Sequence, residues 1–363
     1  MSSAPITAPS RPVLITGGAG FVGTNLADRL LCGGRAVRIY DSLARPGAER
    51  NLRWLRARHG FRVDFRRGDV RSAAGLDRAV ADPVSGHGAG VGTVFHLAAQ
   101  VAVTTSLDEP GEDFAINAAG TLNLLEAVRR NGRETRLVFT STNKVYGALG
   151  DIELVADPGR YRPERDPAGI DETRPLSFHS PYGCSKGAAD QYVLDYARSY
   201  GLAAAVFRMS CIYGPHQHGT EDQGWVAHFL IRALQGTPIT ICGDGRQVRD
   251  LLYVEDLVEA FLLAERHLPA LAGEAFNIGG GRANTTSLVE LCERIACLCG
   301  YPPPLSFAEW RVGDQRWYVS DTGKFARATG WQPRIGVAEG VARLYRWLQA
   351  ESGADAAIGV AAQ

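Results

Sequence analysis

Short apolar runs punctuate the first two thirds of this chain, separated by stretches whose apolar residues recur at helical spacing. The runs fall at Val13–Thr16, Ala36–Tyr40, Arg62–Arg66, Val91–Leu97, Arg136–Thr140 and Ala204–Met209. Helical patterns fill the gaps, among them Gly20–Leu31, Gly111–Arg130 and Pro181–Tyr200. Strands alternating with helices predict parallel crossovers, and so a doubly wound α/β sheet of Rossmann type. The third helix carries its own start and stop: Ser180 as N-cap, Pro181 in the first turn, Gly201 beyond the end. After Gly214 the rhythm is lost. The pattern therefore predicts a dinucleotide-binding unit over 11–212 and a smaller α/β substrate unit over 213–348, with some of its segments returning to the first. Residues 1–10 and 352–363 read as flexible tails. The polar, proline-rich insertion Leu149–His179 is too long for a passive connection and reads as a substrate-side flap.

Composition removes several classes of function. The 363 residues carry 39 basic and 39 acidic side chains, so there is no basic footprint for nucleic acid. No apolar run approaches the roughly 20 residues that span a bilayer. The first ten residues lack a signal peptide's basic and apolar regions, which gives the expectation of a soluble, cytoplasmic protein. Seven cysteines are an odd number without metal-site spacing, and Cys292, Cys297 and Cys299 read as buried thiols on an apolar helix. His216 and His218 lack partners in a ligand pattern, so no metal is assigned.

Chemistry enters at the first strand. It runs into Gly17-Gly-Ala-Gly20-Phe21-Val22-Gly23 and then a helix. Glycines at 17, 20 and 23 allow a tight turn, close approach of a pyrophosphate and helix packing on the sheet. Asp41 ends the second strand, placed to accept from an adenosine ribose hydroxyl and to repel a 2′-phosphate; Ser42 follows it. That favours NAD over NADP, although Arg45 nearby is able to pair with such a phosphate. Later strands end in Asp69-Val70, in His96-Leu97-Ala98-Ala99-Gln100 and in Thr140-Ser-Thr142-Asn143-Lys144, all facing the crevice where open α/β sheets bind ligands. Asp69 reads as an adenine contact or a helix N-cap, and His96 as a packed core imidazole. Gln100, Thr104 and Thr105 are candidates for the pocket wall or for helix capping.

Only three of the cationic side chains are lysine, and one closes the run Ser180-Pro-Tyr182-Gly-Cys-Ser-Lys186. Tyr182 and Lys186 are four apart and share a helix face. An ammonium beside a phenol favours the phenolate. Moving a tyrosine from about 10 to near 7 takes about 4 kcal/mol. An oxidised nicotinamide would supply part of it. The pair reads as a general base that takes a hydroxyl proton while hydride leaves carbon.

By these motifs, residues 12–348 resemble the extended short-chain dehydrogenase/reductase family, the nucleotide-sugar epimerases and dehydratases. The resemblance implies NAD bound by the glycine turn, Asp69, Val70, Tyr182 and Lys186, and oxidation carried by Thr142, Tyr182 and Lys186. It implies Arg249 and Arg316 as clamps on a sugar-nucleotide diphosphate. Dehydratases of the family carry an Asp-Glu pair after the threonine, whereas here Asn143 and Lys144 stand there, which argues against elimination. The strings 140–147, 178–191 and 222–225, the last holding Asp222, Gln223 and Trp225, are similar to those of the 2-epimerases of CDP-paratose and CDP-tyvelose. By that likeness the substrate is a CDP-sugar inverted at C2 through a transient ketone. A 4-epimerase, a decarboxylase or reductase, and a non-enzymatic NAD sensor are the alternatives. Lys144 reads either as a substrate contact or as the partner of a carboxylate such as Asp171 or Glu172. The family also implies a homodimer or homotetramer through helices 111–130 and 181–200, the latter presenting Tyr192, Leu194 and Tyr196.

Overall fold

A computed structural model describes residues 11–361 apart from 86, 88–89, 132–133, 166–167 and 312, with only the backbone described over 352–361. Seven strands form the central sheet: β1 (Val13–Thr16), β2 (Val37–Asp41), β3 (Val63–Arg67), β4 (Thr93–His96), β5 (Arg136–Thr142), β6 (Ala204–Met209) and β7 (Ala275–Ile278). Their order is β7-β6-β5-β4-β1-β2-β3, and every pairing is parallel. The inner strands read as unbroken apolar runs because both faces are covered; β1 is buried at all four positions. One face packs against helices Phe21–Cys32, Ala48–His59 and Val254–Leu271, the other against Ala73–Ala81, Gly120–Asn131 and Ser180–Tyr200. The order reverses between β1 and β4, which opens the ligand crevice at their carboxyl ends.

Strand limits differ from the apolar runs by a residue or two, as hydrogen-bonded ends do. The stretch 111–130 is helical as expected, running from Pro110 to Asn131, but a π-helical turn at Ala115–Ala119 interrupts it between Pro110–Phe114 and Gly120–Asn131. The wide turn carries Asn117, whose side chain accepts from Gln100 N (2.9 Å) and donates to Gln100 O (3.0 Å).

Beyond β6 the chain weaves between two layers. Helix Val254–Leu271, β7 and the Phe325–Trp331 region join the core of the large sheet. The smaller unit has its own core, from Tyr213 and Val226 through Leu291 and Ile295 to Leu348, under short strands such as Cys211–Tyr213 and Val248–Tyr253. The insertion Leu149–His179 is a bound strap rather than a free flap. It folds a hairpin, Leu154–Ala156 with Tyr161–Pro163, and buries Ile170. Arg160 pairs with Glu290, and Tyr161 N donates to Arg246 O at 2.8 Å. The stretch 352–361, expected as a loose tail, continues helix Val337–Ala361, in keeping with alanine's high helix propensity. Residues 1–10 and 362–363 lie outside the described residues. Cys297 is exposed and Cys299 half-buried, so only Cys292 of that trio is buried; the helix shows one apolar face, not three. Tyr192 is exposed, but Leu194 and Tyr196 pack into the chain's own core.

Candidate active site

The turn after β1 takes its shape from its glycines. Gly17 has φ +70°, and its N donates to Tyr40 O at 2.8 Å. A Cβ there would lie 2.7 Å from Ala98 N, so a side chain would collide with the loop after β4. Helix Phe21–Cys32 begins without a side-chain cap, leaving its first amides to the crevice. Asp41, at the end of β2, accepts from Ala19 N (3.0 Å) and Leu43 N (2.8 Å), and burial raises its proton affinity. Asp69 keeps its carboxylate on Arg71, whose fork depresses its proton affinity. Its backbone oxygen accepts from the Tyr40 hydroxyl at 2.9 Å.

A cavity of about 550 Å³ extends from this cradle across the ends of the strands. All the residues expected to hold the cofactor line it, from the glycine turn and Asp41, Ser42 and Arg45 through Asp69, Val70 and residues 97–100 to Thr140, Tyr182 and Lys186. Glycine turn, open amides and a ribose-side carboxylate in one cleft fit a dinucleotide. Gln100, Thr142, Asn143, Lys144, Asp222 and Gln223 line the same cavity. Thr104, Thr105, Arg249 and Arg316 do not border it.

Tyr182 and Lys186 lie on the buried face of helix Ser180–Tyr200, as their spacing requires. Ser180 opens that helix with Oγ accepting from Gly183 N at 3.2 Å. Lys186 Nζ donates to Thr140 O at 2.6 Å and sits 4.3 Å from the Phe139 ring centre. The expected acidification of the phenol is not in place in the protein alone. Burial pushes Tyr182 up to about 12, against the opposing hydrogen bond of Thr142, and burial brings Lys186 down to about 7. Both charged forms lose their solvation, and the ammonium spends a proton on a backbone carbonyl. His96 is the packed core imidazole anticipated, held between Thr16 Oγ1 (2.6 Å) and Thr121 Oγ1 (3.0 Å), with burial lowering it to about 3.

At the far end, Lys144 Nζ donates to Gly313 O (3.2 Å) and lies 3.6 Å from Asp314 Oδ1. Asp314 also holds Arg249 at 2.6 Å. The lysine's carboxylate partner is thus Asp314; Asp171 caps Thr173 and Glu172 accepts from Asn277 N. Asn143 Nδ2 donates to Gln315 Oε1 at 3.2 Å. Arg316 is exposed, its guanidinium over Trp310 and Tyr161 at 5.3 and 5.8 Å. Arg311 instead reaches Glu221 O (2.9 Å) and Asp222 (3.9 Å), beside the cleft. Sequence reasoning missed Arg311 and Asp314, although Gly313, at φ +71°, marks a turn that presents both. Among the described residues, Asp28, Cys32 and His59 gather ligand atoms within 4.8 Å, but Arg58 already neutralises Asp28 at 2.7 Å.

The model of the NAD dependent epimerase/dehydratase family matches residues 13–279. This chain belongs to that family. A Salmonella typhi protein named CDP-paratose 2-epimerase is 43% identical, the match covering 92% of this chain and 98% of the relative. A Mycolicibacterium smegmatis UDP-glucose 4-epimerase is 33% identical over 93% and 99%. The Thermus thermophilus UDP-glucose 4-epimerase, solved in complex with NAD, superposes with a TM-score of 0.76 at 34% identity, covering 93% and 99%. The enzyme is an epimerase, and NAD is its cofactor.

Proposed function

We propose that this epimerase inverts C2 of a CDP-linked sugar. The observation that carries the reading is the pairing of Thr142, Tyr182 and Lys186 with Asn143 and Lys144 in one cleft. Elimination needs a carboxylate acid/base pair directly after the threonine, and an amide with an ammonium cannot provide it. What remains is oxidation and re-reduction at one carbon. The choice of C2 and cytidine rests on the 43% identity to a CDP-paratose 2-epimerase, against 33% to a UDP-glucose 4-epimerase.

Bound along the glycine turn and Asp41, NAD supplies reversible hydride acceptance, the chemistry that interconverts a carbinol and a ketone. Tyr182 takes the C2 hydroxyl proton and later returns it. Thr142 hydrogen-bonds the same oxygen and orients it. Lys186 holds the nicotinamide ribose and adds positive charge beside the phenol. Lys144, with Arg311 nearby, holds the diphosphate while the ketone presents its other face, and Arg249 acts behind it through Asp314. Catalysis is then positioning plus proton handling. The same reading keeps the seven free cysteines reduced in a cytoplasm and assigns the exposed Phe114, Phe178 and Tyr192 to self-association. The test is NMR of products from CDP-paratose, CDP-glucose and UDP-glucose labelled with deuterium at C2 or C4. Inversion at C2 of a CDP-sugar is expected; inversion at C4, or turnover of UDP-glucose alone, refutes the proposal.

A further inference from the structure

Near Lys186, and outside the lining of the cleft, lies a carboxylate that the chemistry above does not use. Asp113 is fully buried on the short helix Pro110–Phe114. Its carboxylate accepts from neutral donors: the Ser185 hydroxyl on Oδ2, and Asn117 Nδ2 on Oδ1 at 3.1 Å. Ser185 immediately precedes Lys186 in the helix. Asn117 also donates to Ser185 Oγ (3.1 Å) and to Gln100 O (3.0 Å), so the network reaches the loop that lines the cleft. A carboxylate removed from water without a bonded cation is costly and is retained where another charge compensates it.

The groups around it leave one candidate. Asp190, on the same helix as Lys186, is committed to Arg208 through two bonds of 2.9 and 3.0 Å. His96 on β4 is neutral, donated to or accepted by two threonines. Lys186 itself donates to the Thr140 carbonyl and lies in the field of Asp190 as well as Asp113, and Arg45, from the loop after β2, lines the cleft and acts on Tyr182 from there. Thr142 on β5 is uncharged. Asp113 and Lys186 are therefore buried opposite charges, neighbours without direct contact.

We propose that Asp113 is a positioning residue, a buried negative charge that joins Asp190 in favouring the ammonium form of Lys186 and that holds Tyr182 toward its neutral phenol. The proposal rests on Tyr182 and Lys186 as the proton-handling pair but not on which carbon is inverted. Its signature is a pair of shifts in one direction. Without the negative charge Lys186 holds its proton less tightly, so the alkaline limb of activity moves to lower pH. Tyr182, freed of a nearby anion, also ionises at lower pH, so the acid limb moves the same way. A residue that merely braced the helix would lower activity without translating the profile.

The experiment is an ultraviolet phenolate titration of the NAD-loaded enzyme, taken as a difference from Tyr182→Phe, with no sugar present. Asp113→Asn and Asp113→Ser both neutralise the site with different shapes, and Asp113→Glu restores the charge. The expected result is a Tyr182 ionisation lowered by roughly half to one pH unit in either neutral variant and restored toward wild type in the Glu variant. An unmoved ionisation in a folded neutral variant overturns the proposal, as does an equal shift in the Glu variant. Because no sugar is used, failure here is distinct from failure of the C2 assignment.

Discussion

Tyr182 and Lys186 are both nearly inaccessible to water, at 8% and 3% exposure, and burial drives them in opposite directions toward their neutral forms. A phenol pushed up to about 12 keeps its proton at neutral pH, so in the ligand-free protein the base form is scarce. Positive charge brought by the bound dinucleotide favours the phenolate and reverses that direction. The ligand-free protein should thus show the Tyr182 phenol ionising near pH 12, and loading with NAD should bring it down, read as the difference spectrum against Tyr182→Phe. In the same variant, turnover should fall by about a thousandfold while NAD stays bound; an active Tyr182→Phe enzyme refutes the base assignment. The identity of the pair was legible because a spacing of four fixes a shared face. The state of its protons was not, since the Thr140 carbonyl and the ring of Phe139 come from a strand some forty residues away.

The helix Ser180–Tyr200 is held to the sheet by more than apolar contact. Asp190 grips Arg208 of β6 from both oxygens, Arg208 reaches the Tyr146 hydroxyl at 3.2 Å, and Tyr146 donates to Asn277 of β7 at 2.8 Å. This chain ties the element that carries Tyr182 and Lys186 to the edge of the sheet. Removing one partner of a buried pair strands the other charge, so Asp190→Asn should cost about 3–5 kcal/mol. The measurement is calorimetric melting, with a fall of several degrees expected; an unchanged transition would show that the pair contributes nothing net. The inner strands β1, β2, β4, β5 and β6 could be read from apolar runs because they are buried on both faces, whereas the edge strand β3 is buried only at its start. The seventh could not: Ala275–Ile278 lies beyond the point where the strand–helix rhythm breaks, and it joins the sheet only because Val254–Leu271 returns to the first core. The same non-locality hid Arg311 and Asp314, whose neighbours Asp222 and Arg249 are distant in sequence.

At the scale of the molecule, the cleft is closed by a contact between its two halves. Arg45, from the loop after β2, donates to Gln223 Oε1 at 2.5 Å, and Gly47 in that loop abuts His218. Cofactor-side and substrate-side walls thus meet over the cavity that both line. An enzyme that oxidises and re-reduces the same carbon gains from a dinucleotide that does not leave between half-reactions. An exposed charge-assisted bond contributes on the order of 1 kcal/mol, which corresponds to about a fivefold change in rate. Arg45→Ala should therefore release NAD several-fold faster in a stopped-flow chase, with the melting temperature of the ligand-free protein unchanged. Gln223→Ala separates two explanations. If Arg45 acts by bridging, removing its partner accelerates release equally. If it acts by touching the adenosine ribose directly, Gln223→Ala leaves the release rate alone, and the bridge across the cleft has no part in retaining the cofactor.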